Sequence, residues 1–363
     1  MKSDPKIAFV IDALLAPGGA EKVLLTALEV FPQAEVFTLF YNKGVFKNTH
    51  LGNQAVKTSF IDRIPYSHRQ HRLFLPLMPF AVEHFDLREY ETIVSFSYAV
   101  AHGVQNFNGA RHISYTFTPM RYAWMDLNID GTHNPRNRLL NRFMGAFREW
   151  DKKAASHVHQ FAAISQAVSK RIESAYHRNA EILYPPVDVD RFKPAQKRER
   201  FYITVTRLVP HKRVDILVQA FTQLNLPLLI IGDGPEYQHL TRMARSNIQF
   251  LGYQPDKHVA QLLGKARGFV CATEEDFGIA IVEAQAAGCP VIAYGKGGAL
   301  ETILDEKTGV FFSEQSSESL IEALQRFELM YSCFQTSDLT QNARRFEKNH
   351  FLFQFKQLVL CSS

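Results

Sequence analysis

Two stretches of this chain carry charged side chains at spacings that could grip a phosphorylated, hydroxyl-rich ligand. The first is Thr206-Arg207-Leu208-Val209-Pro210-His211-Lys212-Arg213, at the end of the strand-like run Phe201–Arg207. Arg207 would stand at the strand's C-terminal edge, where open α/β sheets bind ligands. Lys212 would fall in the first turn of the next helix, whose N-terminus favours anions. A planar guanidinium and a mobile ammonium together suit a diphosphate. Taken alone, a solvated basic loop explains this segment equally well. The second stretch is Glu274-Glu275-Asp276-Phe277-Gly278-Ile279-Ala280-Ile281-Val282-Glu283-Ala284. Glu275 precedes a turn that Gly278 permits, and Glu283 lies inside the following helix. Acids beside a phosphate site would repel the ligand unless they face its sugars, where carboxylates accept paired bonds from vicinal hydroxyls. The amides of Gly278, Ile279 and Ala280 would meanwhile point at phosphate oxygens. Helix-capping acids on a surface turn are the plain alternative.

Two glycine turns are weaker signals. Gly232-Asp233-Gly234-Pro235 follows an apolar strand, and Gly18-Gly19-Ala20-Glu21 opens a helix where backbone could approach a ligand closely. Gly18-Gly19 lacks the G-x-G-x-x-G spacing, which argues against a dinucleotide-dependent dehydrogenase. Asp188-Val189-Asp190 has the look of a metal-binding Asp-x-Asp but lies in a proline-rich stretch with no His or Glu cluster nearby. The 14 histidines are scattered without ligand spacing. No metal and no cofactor is therefore expected.

These groups need sheets to hold them. Lys6–Asp12 (KIAFVID) reads as a buried parallel strand, followed by a glycine-rich turn and a helix from Ala20 to Phe31. Further strands are expected at Glu35–Tyr41, Thr92–Tyr98, Arg111–Phe117 and Gln160–Ser165, with helical stretches between most of them. The pattern breaks at Leu183-Tyr184-Pro185-Pro186, whose adjacent prolines forbid helix and suggest an interdomain linker. A second series begins at Phe201–Arg207. Strands follow at Leu226–Ile231, Ile248–Tyr253, Gly268–Thr273, Pro290–Tyr294 and Gly309–Phe312. Helices are expected at His211–Leu224, Glu236–Ser246, Asp256–Ala266 and Ile279–Ala287. Leu339 to Leu360 reads as one late, Phe-rich helix. Strands alternating with helices predict parallel sheets covered on both faces.

The 363 residues suffice for two such domains. A formal charge of +5 fits an anionic ligand or membrane surface and is too small to indicate nucleic acid. The four cysteines, Cys271, Cys289, Cys333 and Cys361, form no CxxC pair, so buried free thiols in a reducing cytoplasm are expected. The polar start Met1–Pro5 carries no signal-peptide core, and no apolar run is long enough to span a bilayer. Ile61–Phe85 mixes Arg, His and bulky apolar residues. It fits an interfacial surface against anionic lipid or, slightly better, a helix and loop packed on the core.

Together, "TRLVPHKRVD", "IIGDGP", "FLGY" and "EEDFGIAIVEAQAAGCPVIAYGKGGALETI" closely resemble the donor-binding half of retaining glycosyltransferases of family 4. "GGAEKVL" and "YTFTPMRYAWMD" resemble the N-terminal half of bacterial mannosyltransferases that build O-antigen, capsule or exopolysaccharide. The resemblance implies the GT-B fold: α/β, with two Rossmann-like doubly wound domains facing a central cleft. It implies an N-terminal acceptor-binding domain over 1–184, a nucleotide-sugar-binding domain over 185–338, and a C-terminal helix, 339–363, crossing back to the first. By the same resemblance Arg207 and Lys212 are the diphosphate clamp. Glu283 holds the ribose hydroxyls and Glu275 contacts the donor hexose. Gly18 and Gly19 close over the phosphates, and Gly232, Phe277, Gly278, Ile279 and Ala280 line the donor. Tyr253 through Asp256 rims the base pocket, where an acid such as Asp256 would accept from guanine N1 and N2 and favour a GDP donor.

Asp12, His102 and Arg121 fall on the acceptor side. There the chain departs from its relatives, with Ile11-Asp12 for His-Asp, Phe117 for His, and Tyr98 and His102 where His and Lys are expected. The implied activity is metal-independent hexosyl transfer with retention, from GDP-mannose or another nucleotide-sugar to a glycan or lipid-linked acceptor. It is placed in the cytoplasm or peripherally on the cytoplasmic face of the inner membrane, with no nucleic-acid partner. Three alternatives stay open: a UDP-sugar-dependent transferase, a nucleotide-sugar epimerase, and a non-catalytic subunit that binds the nucleotide-sugar for a partner transferase.

Overall fold

The computed structural model describes residues 5–52, 54–106, 108–124 and 135–361. Most of Met1–Pro5, and Met125-Asp126 of the "YTFTPMRYAWMD" segment, lie outside them. The chain divides into two compact units, Met1–Tyr184 with Leu352–Ser363, and Pro185–Phe351.

Among the described residues the first unit holds seven parallel strands: β1 (Ile7–Ile11), β2 (Glu35–Thr38), β3 (Val56–Thr58), β4 (Thr92–Ser97), β5 (Arg111–Thr116), β6 (Gln160–Ala163) and β7 (Ala180–Ile182). Their order across the sheet is β3-β2-β1-β4-β5-β6-β7. Every residue of β1 and β4 is buried, as continuous apolar runs in a sheet covered on both faces require. The helix Gly19–Val30 turns Val23, Leu24, Ala27 and Leu28 inward, the spacing of a one-sided apolar stripe. Phe9 meets Phe31, Phe96 and Phe355 edge-on or tilted about it, so the end of the last helix, Lys348–Leu360, completes this core.

The second unit holds six parallel strands: β8 (Tyr202–Val205), β9 (Leu228–Ile231), β10 (Ile248–Gly252), β11 (Gly268–Cys271), β12 (Val291–Tyr294) and β13 (Gly309–Phe312). Their order is β10-β9-β8-β11-β12-β13. Helices Val214–Leu224 and Ser317–Leu329 pack on one another and supply Leu217, Phe221, Leu320, Leu324 and Phe327 to the core. In both sheets the connections run one way from the first strand and then reverse. The reversal leaves a crevice beyond the carboxyl ends of the two central strands, β1/β4 in one unit and β8/β11 in the other. Both units are Rossmann-like and doubly wound.

Local differences from the sequence reading have physical causes. The helix expected at His211–Leu224 starts only at Val214, because Pro210–Lys212 forms a separate 3-10 turn and Arg213 takes a left-handed conformation, φ 49°. Lys212 therefore sits at the end of a tight turn and not in a helical first turn. The late helix is two helices, Thr336–Arg344 and Lys348–Leu360. Between them the Phe346 carbonyl accepts the Val187 amide at 2.9 Å, which takes it out of any helical ladder. The short strands β3 and β7 and the helix Ser317–Leu329 were not anticipated. Cys271 and Cys289 are buried, and burial pushes both thiols up to about 12, whereas Cys333 and Cys361 are exposed, against the expectation of buried thiols.

Candidate active site

The crevice of the second unit collects most of the sequence-derived candidates. Arg207 and Lys212 follow β8, and Glu275 follows β11, the adjacent strand. Lys212 Nζ donates to Glu275 Oε1 at 2.7 Å, with both side chains less than one-fifth exposed. Thr273 Oγ1 donates to the His211 carbonyl at 2.8 Å, so the two loops are tied through backbone as well as through charge. Arg207 is exposed, and among the described residues no ion pair or side-chain hydrogen bond engages its guanidinium. A partnered ammonium and an exposed guanidinium thus both follow the same strand, β8.

The turn after β9 is held against the turn after β8. Leu208 N donates to the Asp233 carbonyl at 2.9 Å, and the Gly232 Cα lies so close that a Cβ there would fall 1.9 Å from the Thr206 carbonyl oxygen. Only glycine fits, all the more because its φ is +132°. Asp233 reaches the next loop and accepts from the Tyr253 amide at 2.9 Å, leaving the Tyr253 ring exposed at the same edge. Gly278, at φ +92°, is the N-cap of helix Ile279–Ala286. The amides of Ile279 and Ala280 precede the first intrahelical bonds, which run from Ile281 and Val282 to the Gly278 carbonyl.

Three candidates are placed differently from the expectation. The Phe277 ring is buried, 5.2 Å from the Phe346 ring, so an apolar side chain has gone to the core and only its backbone remains for a ligand. Asp256 and Glu283 are both held by Arg191, whose Nη2 donates to Glu283 Oε1 at 2.8 Å and whose Nη1 donates to Asp256 Oδ2. The Asp256 carboxylate is therefore committed in part to a cation and is not simply presented to a base. Arg191 was missed, because a single Arg after Asp190 in a proline-rich stretch carries no spacing signal.

In the first unit the loops that follow β1 and β4 are bonded to one another. The Asp12 carboxylate, just past β1, accepts from the amides of Tyr98, Ala99, Val100 and Ala101, just past β4, at 2.6–3.0 Å. Burial pushes its pKa up while the four donors pull the other way. His102, an acceptor-side candidate, is only 3% exposed. It bonds to Ser97 Oγ through Nδ1 at 2.9 Å and pairs with Asp151 through Nε2 at 3.0 Å, while Trp124 and Tyr176 also donate to Asp151. Asp12 and His102 are thus interior supports for the loop that follows β4. Arg121 is half-buried at the start of the short helix Arg121–Trp124, beyond β5. Gly18 N-caps the helix Gly19–Val30, beyond β1.

With this geometry in hand, comparison with known proteins gives a consistent answer for the second unit. Residues 187–346 match the family model described as "Glycosyl transferases group 1". Among curated relatives, the GDP-mannose-dependent alpha-(1-6)-phosphatidylinositol monomannoside mannosyltransferase of Mycolicibacterium smegmatis is 33% identical over 193 residues, 44% of this chain and 50% of that protein. The monoacylated-substrate counterpart of Corynebacterium glutamicum is 34% identical over 209 residues, 48% of this chain and 55% of that protein. The chain spans about half the length of these curated relatives. The crystal structure of Anabaena HepE in complex with UDP and glucose is 20% identical, covers 98% of this chain and 99% of its own, and superposes with a TM-score of 0.73. That likeness, along the whole length, identifies the fold as GT-B.

Proposed function

We propose that this chain is a hexosyltransferase that moves mannose from GDP-mannose to a glycan or lipid-linked acceptor, with retention and without a metal. The observation that carries the reading is the charge arrangement at the β8/β11 crevice, where the Lys212–Glu275 pair lies on loops adjacent to the exposed Arg207. Cations there would stabilise the charge that develops on a leaving diphosphate. The ammonium would pass from Glu275 to phosphate, and Glu275 would turn to the hydroxyls of the hexose. Glu283 would take the ribose. Ile279 and Ala280 would give their amides to phosphate oxygens. The bond from the anomeric carbon to the phosphate oxygen breaks, and a bond to the acceptor oxygen forms on the same face. The acceptor proton passes to the departing phosphate. Asp12 and His102 would position the acceptor-side loop from beneath, and Arg121 would stand nearer the acceptor.

The GDP-mannose assignment draws on the GDP-mannose dependence of the two curated relatives. A UDP-sugar donor is the second reading, favoured by the nucleotide bound in HepE. A peripheral membrane contact also belongs to the proposal. Phe60, Tyr66, Leu73, Leu77 and Phe80 are exposed large apolar residues within one short segment, with Arg63 and Arg69 exposed among them. Phe60 and Phe80 touch edge-on at 5.9 Å, which makes part of this set a continuous patch. Among the described residues no helix is long and apolar enough to cross a membrane.

A thermal-shift panel of GDP-mannose, UDP-glucose and UDP-N-acetylglucosamine tests the donor, since the cognate compound stabilises by mass action. Arg207→Ala and Lys212→Ala should each lower turnover by roughly 10- to 100-fold, the worth of a lost charge-assisted contact. Wild-type turnover in a folded Arg207→Ala protein would remove the clamp. Nuclear magnetic resonance of the product's anomeric proton decides retention.

A further inference from the structure

We propose that Arg191 is a positioning residue of the nucleotide site, holding Glu283 and Asp256 at a fixed separation so that they meet the ribose and base of the donor. The inference rests on the donor reading above and adds to it a residue from outside both motifs.

Arg191 ends the 3-10 turn Val189–Arg191, in the segment that enters the second unit. Its two carboxylate partners come from different helices. Asp256 is the first residue of helix Asp256–Lys265, just beyond β10, and Glu283 lies in the second turn of helix Ile279–Ala286, beyond β11. The guanidinium carbon stands 4.7 Å from the centroid of the buried Phe192 ring, within cation–π range. A planar fork bonded to one acid through each Nη constrains the separation of the two acids, which a single ammonium does less well.

Charge explains why such a residue is needed. The edge carries three like charges, Glu275, Glu283 and Asp256, and without compensation the last two would repel one another out of register. Lys212 offsets the first, and Arg191 offsets the other two. Glu283, 12% exposed, is poorly screened if Arg191 is removed, whereas Asp256, 55% exposed, is better screened, so the larger effect of losing Arg191 falls on Glu283. The entering segment does not depend on Arg191 for its anchorage. Val187 donates to the Phe346 carbonyl at 2.9 Å and accepts from the Lys348 amide at 3.1 Å.

The test uses the full chain and calorimetric titration with GDP, UDP and inorganic pyrophosphate, on Arg191→Ala, Arg191→Lys and both in a Glu283→Gln background. Arg191→Ala should weaken the better nucleotide roughly tenfold, leave pyrophosphate unchanged, and raise KM for the donor more than it lowers kcat. Arg191→Lys should recover only part of the loss, and in the Glu283→Gln background the Ala change should add little. Unchanged nucleotide affinity in Arg191→Ala overturns the inference, as does an equal loss for nucleotide and pyrophosphate, or full additivity with Glu283→Gln. A wild-type chain that binds neither nucleotide removes the donor reading, and this inference with it.

Discussion

Two buried histidines in the first unit respond to protons in opposite senses. Burial, helped by the nearby histidines His102, His159 and His157, holds the His112 imidazole down at about 3. The unfolded chain takes up that proton near pH 6.5 and the folded chain does not, so His112 favours the folded state above about 6.5 and loses this advantage as pH falls. The slope reaches up to about 1.4 kcal/mol per pH unit. His102 is the reverse. Burial opposes its charge, but Asp151 at 3.0 Å, with Asp12, outweighs burial and raises its pKa. Its contribution is complete below about 6.5 and disappears as pH rises through the folded value. Urea unfolding across pH should show a shallower acid-side decline in His112→Asn and a shallower alkaline-side decline in His102→Asn. At the donor site, Glu275→Gln should release Lys212 from its ion pair. Binding of the nucleoside diphosphate alone should hold or tighten while kcat falls by at least about tenfold, a split that steady-state kinetics with calorimetry reads directly.

At the scale of elements, loops are fixed to loops along the edge of the second sheet. Gly232→Ala would drive a methyl into the Thr206 carbonyl and impose a conformation alanine resists, so a loss of about 3 kcal/mol is expected in chemical denaturation, with donor binding lost in parallel. The strand–turn–helix order of this region was legible because short apolar runs alternate with helical patterns, and the acids and cations at the strand ends stand out by type. What escaped has a common cause. β3 and β7 are three residues each, too short to show a period. The break at Lys212-Arg213 depends on a left-handed residue that is not glycine. Arg191 matters only because two distant helices bring carboxylates to it, and no local pattern encodes that. His102 was placed on the acceptor side by resemblance alone, since its neighbours Ala99-Val100-Ala101 and Gly103-Val104 are apolar, and Ser97 and Asp151 draw it inside.

At the scale of the whole molecule, the apolar and basic patch around Phe60 and Phe80 makes a prediction about surfaces. The chain should co-sediment with liposomes containing anionic lipid and less with neutral ones, and Leu73→Asp with Phe80→Asp should abolish this while leaving the donor-induced thermal shift intact. Equal binding of the double variant would place the contact elsewhere. The two units share a plan and yet differ at the crevice where such folds receive ligands. In one, a carboxylate from the chain accepts from four amides; in the other, the amides of Ile279 and Ala280 open a helix ahead of its first intrahelical bonds. A pair of look-alike halves should therefore take up a single nucleotide, and titration should return one molecule per chain, because the four amides of the first half already serve its own resident anion.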